Sequence, residues 1–325
     1  MKAFEAINPE DIALFTHPEG DCPRGLDGPA LFAEIFDRPG APRMDDARWY
    51  IERVPQMVID EVHISLRAQV MAMLQDGYDH LKQTTPFPPE HVEQLTTAPG
   101  IDLVQDIALV VSDHMIDAYV AVPDASRAFL NNYDFFDSIF DFRLSKVGLL
   151  DEHIGIMRAA TRADPQRAKN EDLIPSFVVA RNTLINSLAL SVEDVLLANA
   201  GGALATLEFP PMLTVTALPS TYRVRQNAVQ GKTRSYEANQ PYACPVSMRT
   251  KDRNPHMISS FGDEPKNCLG RTASILMWRE TAEALNKVVK ARLVAGQTHY
   301  NVTKRLKLIG VNLHRVATGS LVVFS

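Results

Sequence analysis

Near residue 200 the chain changes its periodicity. The run NAGGALATLEFPPMLTVTALPS at 199–220 holds Gly201-Gly202, Pro210-Pro211 and Pro219. Glycine loses more backbone entropy than any other residue on entering a helix, and proline has no amide hydrogen to donate, so no helix continues through this stretch. Before it, apolar residues recur at helical spacing. After it, short alternating runs are separated by turn residues. The pattern predicts an α-rich α+β fold: a helical N-terminal domain followed by a mixed strand/helix basic C-terminal third. The boundaries read as an irregular N-terminal arm over 1–45, an acidic helical domain over 46–205 and a basic mixed α/β domain over 206–325.

Within the helical part, Pro55 to about Lys82 carries Ile59, Val62, Leu66, Val70 and Met73 at intervals of three and four, with proline in the tolerated first turn. A second helix is predicted near Ile101–Val120, and a third from about Arg127 through FLNNYDFFDSIFDF. IPSFVVARNTLINSLAL reads as a further apolar helix, and Ser191 with Asp194 reads as a capping box that opens another. In the basic part, TYRVRQ turns at Gln230-Gly231 into KTRSYEA, which predicts a two-stranded ribbon. A helix over about Ala273–Ala295 stops at Gly296, and VNLHRV with LVVFS reads as a closing hairpin. Tyr300–Ile309 suits a helix or a strand.

Charge is polarised along the chain. Residues 1–220 hold 33 acidic and 16 basic side chains, a balance of −17, while 221–325 hold 6 and 17, a balance of +11. No acidic residue follows Glu283. A hydrophobic content of 46% with 22% charged residues excludes a disordered or collagenous chain. The three cysteines form no C-x-x-C pair, which suits a reducing compartment and a cytoplasmic reading. The first residues lack the apolar run of a signal peptide, and no stretch of 18 consecutive apolar residues occurs, so no membrane partner is expected.

The most regular acidic feature is Asp102, Asp106, Asp113 and Asp117, at intervals of four, seven and four, which places them on one face of a helix. They read as a wet face or as a subunit contact for a basic segment of another copy. Asp134, Asp137 and Asp141 could converge on a divalent cation through oxygen ligands. The histidines are scattered beside acids, as His63, His80, His114 and His153, without an i,i+4 pair. Cys244, His256 and Cys268 have eleven residues between neighbours and no fourth ligand nearby. No nucleotide loop, dinucleotide fingerprint or nucleophile elbow occurs, so no cofactor, metal or catalytic residue is assigned.

The basic third offers Arg223, Arg225, Lys232 and Arg234 on the expected ribbon beside Tyr222 and Tyr236, Arg249, Lys251 and Arg253 in a loop, and Lys304, Arg305 and Lys307 in the tail. Cations interleaved with aromatics can follow a nucleic-acid backbone. These features together predict a non-enzymatic subunit of a homo-oligomeric or nucleoprotein assembly (shell, filament or coat), with copies of itself and RNA or DNA as partners. The alternatives are a metal-dependent enzyme with helical aspartate ligands and a monomeric nucleic-acid-binding module.

Overall fold

A computed structural model describes residues 5, 7–15, 33, 36–37, 39–54, 60–132, 144–199, 202–213, 220–225, 227–245, 268–309 and 314–325. Its helices are α1 (Asp45–Ile51), α2 (Asp60–Gln83), α3 (Pro89–Thr97), α4 (Leu109–Asp117), α5 (Asp124–Asn132), α6 (Leu144–Ala163), α7 (Ile174–Ala198) and α8 (Arg271–Val294). The strands are β1 (Gly100–Asp102), β2 (Ser220–Val224), β3 (Val229–Gln230), β4 (Ser235–Tyr236), β5 (Pro241–Pro245), β6 (Tyr300–Ile309) and β7 (His314–Phe324). The α-rich α+β class expected from the sequence is what these elements compose. The contacts divide into two compact units: Met1–Met73, Val120–Val179 and Leu218–Met257 form one, and Leu74–Tyr119, Ala180–Ala217 and Ile258–Ser325 form the other. Neither is a continuous stretch, and the expected boundaries after 45 and 205 fall inside their segments.

In the first unit, α1 is fixed to α6 by charge. The Ala47 amide donates to Asp151 Oδ1 at 2.8 Å, and Arg158 lies 4.0 Å over the Trp49 ring while pairing with Asp46 and, at 2.6 Å, with Glu171. Arg162 adds a second cation to Glu171 at 2.6 Å. Burial alone would raise the Glu171 pKa; hydrogen bonds and charge from Arg162 and Arg158 outweigh it and hold the carboxyl below the usual range.

The N-terminal arm is seated here. Pro9–Phe15 forms a 3-10 helix, and its Phe15, with Ile7 just before it, packs with Tyr236 and Tyr242 in a small apolar core. Asp11 is buried, and its carboxylate accepts from the Lys232 amide at 2.6 Å, the Thr233 hydroxyl at 2.7 Å and the Tyr236 hydroxyl at 3.0 Å. Burial pushes the Asp11 carboxyl up, but these hydrogen bonds prevail and its pKa is lowered. The approach requires Gly231, because a Cβ there would lie 2.5 Å from Asp11 Oδ2.

The expected ribbon does not form as a pair. The turn after Gln230 joins only the two-residue β3 and β4, and β2 takes β5 as its antiparallel partner, with Arg223 opposite Tyr242. Turn chemistry identified the bend correctly but could not show which strand β2 would meet, because pairing partners are set by tertiary packing.

In the second unit, β7 is the middle strand of the antiparallel order β1-β7-β6. Tyr300–Ile309 is a strand paired with β7, with one register shift between Arg305 and Leu306 that skips Thr318, so the hairpin lies between β6 and β7 rather than around Thr318-Gly319. The Gly201-Gly202 stop is real. Gly202 has φ +64, and a Cβ there would come within 2.3 Å of the Tyr300 carbonyl oxygen. The Ser191 capping box is not used: α7 runs through it, and Ser191 is fully buried. The stretch Ala168–Ala198 is long and apolar enough to resemble a membrane span, but 78% of its most apolar window is buried, which is the signature of a core helix.

Arg292, near the C-terminal end of α8, is almost fully buried. It donates to the carbonyls of Leu95 and Ala98 at 2.6 and 2.7 Å and to Gln297 Oε1 at 3.0 Å, with its guanidinium 3.8 Å from the centre of the Phe324 ring. It thereby satisfies carbonyls at the end of α3, which have no intrahelical partner.

Three outcomes are expected. Gly231→Ala should destabilise the seated arm by about 1–3 kcal/mol through overpacking, and the added cost should vanish in an Asp11→Ala background; equal penalties in both backgrounds in a denaturant double-mutant cycle would contradict the contact. In the parent protein, Asp11 stabilises above the ordinary carboxylate pKa and loses this effect as pH falls through its lowered value, so arm amides should gain hydrogen exchange only in acid. Arg292→Ala should cost about 3–5 kcal/mol of stability, and Arg292→Lys should recover only part, since an ammonium lacks the planar fork.

Candidate functional site

The long helix α8 fixes the position of the chain just before it. Its buried face, Ala273, Met277, Trp278, Thr281, Ala284, Leu285, Val288 and Val289, repeats at three and four residues, and the Trp278 indole donates to the Pro210 carbonyl at 2.8 Å. Gly270 is the N-cap, and the Ser274 amide donates to its carbonyl at 2.8 Å.

Cys268 stands two residues before that cap. The Arg271 amide returns to its carbonyl at 3.3 Å, its side chain is exposed, and it forms no disulfide. Sulfur ligates metals as the thiolate. A Cβ at Gly270 would sit 3.9 Å from Sγ, an ordinary contact, so the sulfur lies directly beside the cap. Cys244 lies in β5 opposite Thr221, and Cys22 is outside the described residues.

In the same unit, Ala180, Asn182 and Thr183 form a partly accessible patch in a stretch of α7 that is otherwise largely buried. Ala180 and Thr183, three residues apart, share a helix face. Arg181 points elsewhere: it is buried and pairs with Asp113 at 2.8 Å. The sequence reading weighed Cys268 only as a zinc ligand beside Cys244 and His256 and gave Thr183 no role. A cysteine two residues before a glycine at the start of a long helix was the legible signal, and a lone threonine in an apolar helix gives none.

The aspartates expected to form a subunit contact have internal partners. Asp102 Oδ1 accepts from the Val104 and Gln105 amides at 2.8 and 3.0 Å, capping the π-helical turn Leu103–Ala108. Asp106 Oδ2 accepts from the Asp102 amide at 2.7 Å, and Asp113 neutralises Arg181. Asp117 lies near His114, whose imidazole is held below its ordinary pKa by burial and by His80, against the pull of Asp117 and Glu280.

The cations expected on nucleic acid are placed as follows. Arg225 donates to the Leu14 carbonyl, the Lys232 amide is taken by Asp11, and Arg234 pairs with Glu5 at 2.7 Å while lying 4.7 Å over the Tyr236 ring. Arg223 is in β2; Lys304, Arg305 and Lys307 are in β6. Arg249, Lys251 and Arg253, and the Asp134, Asp137 and Asp141 cluster, lie outside the described residues. Among the described residues no three His, Cys, Asp or Glu side chains gather as a metal site.

No protein-family profile matches the sequence, and no curated protein matches it. Solved structures do. P450BioI, in complex with an acyl carrier protein ligated to hexadec-9Z-enoic acid, is 14% identical with a TM-score of 0.67, the match covering 97% of this chain and 90% of that one. Myxobacterial cytochrome P450 CYP267B1, in complex with myristic acid, is 12% identical with a TM-score of 0.63, covering 97% and 88%. CYP109B1 from Bacillus subtilis is 13% identical with a TM-score of 0.57, covering 91% and 98%. The expected subunit of a shell, filament or coat, partnered by its own copies and by RNA or DNA, is overturned by this likeness, because the similar structures are monooxygenases. Charge composition does not reveal that Arg225, Arg234 and Arg292 serve internal bonds. The chain has the fold of the cytochrome P450 monooxygenases.

Proposed function

We propose that this chain is a haem-thiolate monooxygenase in which Cys268 ligates the iron. The observation that carries the reading is the exposed Cys268 thiol at the N-terminus of α8, in a chain of this fold. The donor chemistry fits, since a cysteine thiolate is the protein ligand of haem iron in P450 enzymes. Haem bound there would supply oxygen activation, the thiolate pushing electron density that favours O–O cleavage. The chain's own contributions are local. The α8 N-cap at Gly270 sets the place of Cys268 two residues before it, and the Thr183 hydroxyl, on the partly accessible stretch of α7, is the proton donor we assign. An apolar acyl compound is the substrate class we assign, with an acyl carrier protein as the partner class. The support is the hexadec-9Z-enoic acid and carrier protein of P450BioI and the myristic acid of CYP267B1.

Protein produced with haem should take it up stoichiometrically and show, when reduced under carbon monoxide, the red-shifted Soret band of thiolate ligation. Cys268→Ala should lose that band with its circular dichroism unchanged. An unmodified protein that binds no haem, or an unaltered band in the variant, would overturn the assignment. Thr183→Ala should keep the band and lower product formation by about 10²-fold, the scale of a lost proton donor, and undiminished turnover would remove Thr183 from the reaction.

A further inference from the structure

The end of α2 meets α4, within one unit, through a short hydrogen-bonded relay. The Thr84 hydroxyl donates to the His80 carbonyl at 3.0 Å, filling one of the last carbonyls of α2, which lack a partner within the helix. His114 of α4 faces the same hydroxyl, with its Nε2 3.2 Å from Thr84 Oγ1. A threonine hydroxyl has one proton, and here the carbonyl takes it, so Thr84 can only accept from the imidazole. The neutral ring therefore carries its proton on Nε2, and a second proton would enter at Nδ1.

Charge is arranged unevenly around this ring. His80, exposed at the end of α2, is a like charge when protonated, whereas Asp117, further along α4, and Glu280 of α8 are opposite charges. From α7, Arg181 reaches α4 one residue before His114 and is taken by Asp113. His114, Thr84, Asp117 and Glu280 are each partly exposed, so water reaches the ring. Glu280 forms no ion pair among the described residues. For an imidazolium the Thr84 hydroxyl is the poorer acceptor, because a hydrogen bond to a carboxylate is charge-assisted and roughly twice as strong as a neutral one.

We propose that His114 is a two-position switch between helices: as a neutral ring it holds the end of α2 through Thr84, and as an imidazolium it moves to the carboxylates of Asp117 and Glu280 and releases the connection 84–88 that leads to α3. Burial and His80 outweigh the two carboxylates and hold the imidazole below its ordinary pKa. A histidine whose native pKa is lowered binds more protons when unfolded. Its contribution to stability is therefore complete above the ordinary value of 6.5 and is lost as pH falls through the lowered native one. The hand-over belongs to mildly acidic solution, and it does not depend on haem.

The test is a proton NMR titration of the His114 ring between about pH 5 and 8 on the full chain, read beside amide hydrogen exchange from Leu81 to Phe87 corrected for its intrinsic pH dependence. These amides should lose protection with the midpoint of the His114 titration. His80→Gln removes the repelling charge and should move both midpoints to higher pH. Glu280→Gln removes an attracting charge and should move both to lower pH. His114→Asn should abolish the step, and Thr84→Ala should leave these amides poorly protected throughout, each with unchanged circular dichroism. Protection that stays level while His114 titrates, midpoints that shift the same way in the His80 and Glu280 variants, or a step that survives His114→Asn would overturn the proposal.

Discussion

A guanidinium taken out of water must find acceptors, and Arg292 finds its acceptors in backbone. By filling the carbonyls of Leu95 and Ala98, it joins the end of α3 to α8 in the interior of one unit, under the ring of Phe324. A buried charge without a carboxylate partner is costly, and it is offset here because Nη2 meets two carbonyls that would themselves be unsatisfied and Nη1 meets Gln297. Much else follows from that anchored end. With one end of α8 held by Arg292 and its middle held by Asn286 and Trp278 against the chain at 207–210, the first turn of the helix has a fixed place. Cys268, three residues before it, inherits that place.

The same principle answers the puzzle of an acid-free tail in an acidic protein. A cation can be satisfied by carbonyl dipoles and aromatic faces as well as by carboxylates. Arg292 uses both, and Arg225 takes the Leu14 carbonyl. Among the described residues, Arg234 meets an acid of the seated arm, Glu5. Arg279, Lys287 and Lys290 remain at the surface of α8. A sum over 105 residues weights every cation equally, while recognition depends on the few that have no internal use.

The seated arm also shows why glycine reads poorly without structure. Gly231 was legible as a turn residue from Gln230-Gly231, yet its absolute requirement is the carboxylate of Asp11, 220 positions away in the chain. Gly202 was legible as a helix stop, and its left-handed backbone confirms the local reason, while the Tyr300 carbonyl supplies a second one that no local pattern holds.

By itself the sequence determined the local structure whose cause is local. The α8 helix and its glycine stop, the helix over α2 and the change of periodicity near residue 200 follow from side-chain spacing and from the backbone limits of glycine and proline. Short runs whose partners are distant were decided only in three dimensions: β2 chose β5, Tyr300–Ile309 became a strand because β7 was available to pair it, and Ser191 was absorbed into α7 because burial of that helix outweighed a cap. The candidate site belongs to this second kind. A single cysteine carries no spacing pattern of its own, and Cys268 becomes a candidate ligand only through the helix that follows it and the fold that holds that helix.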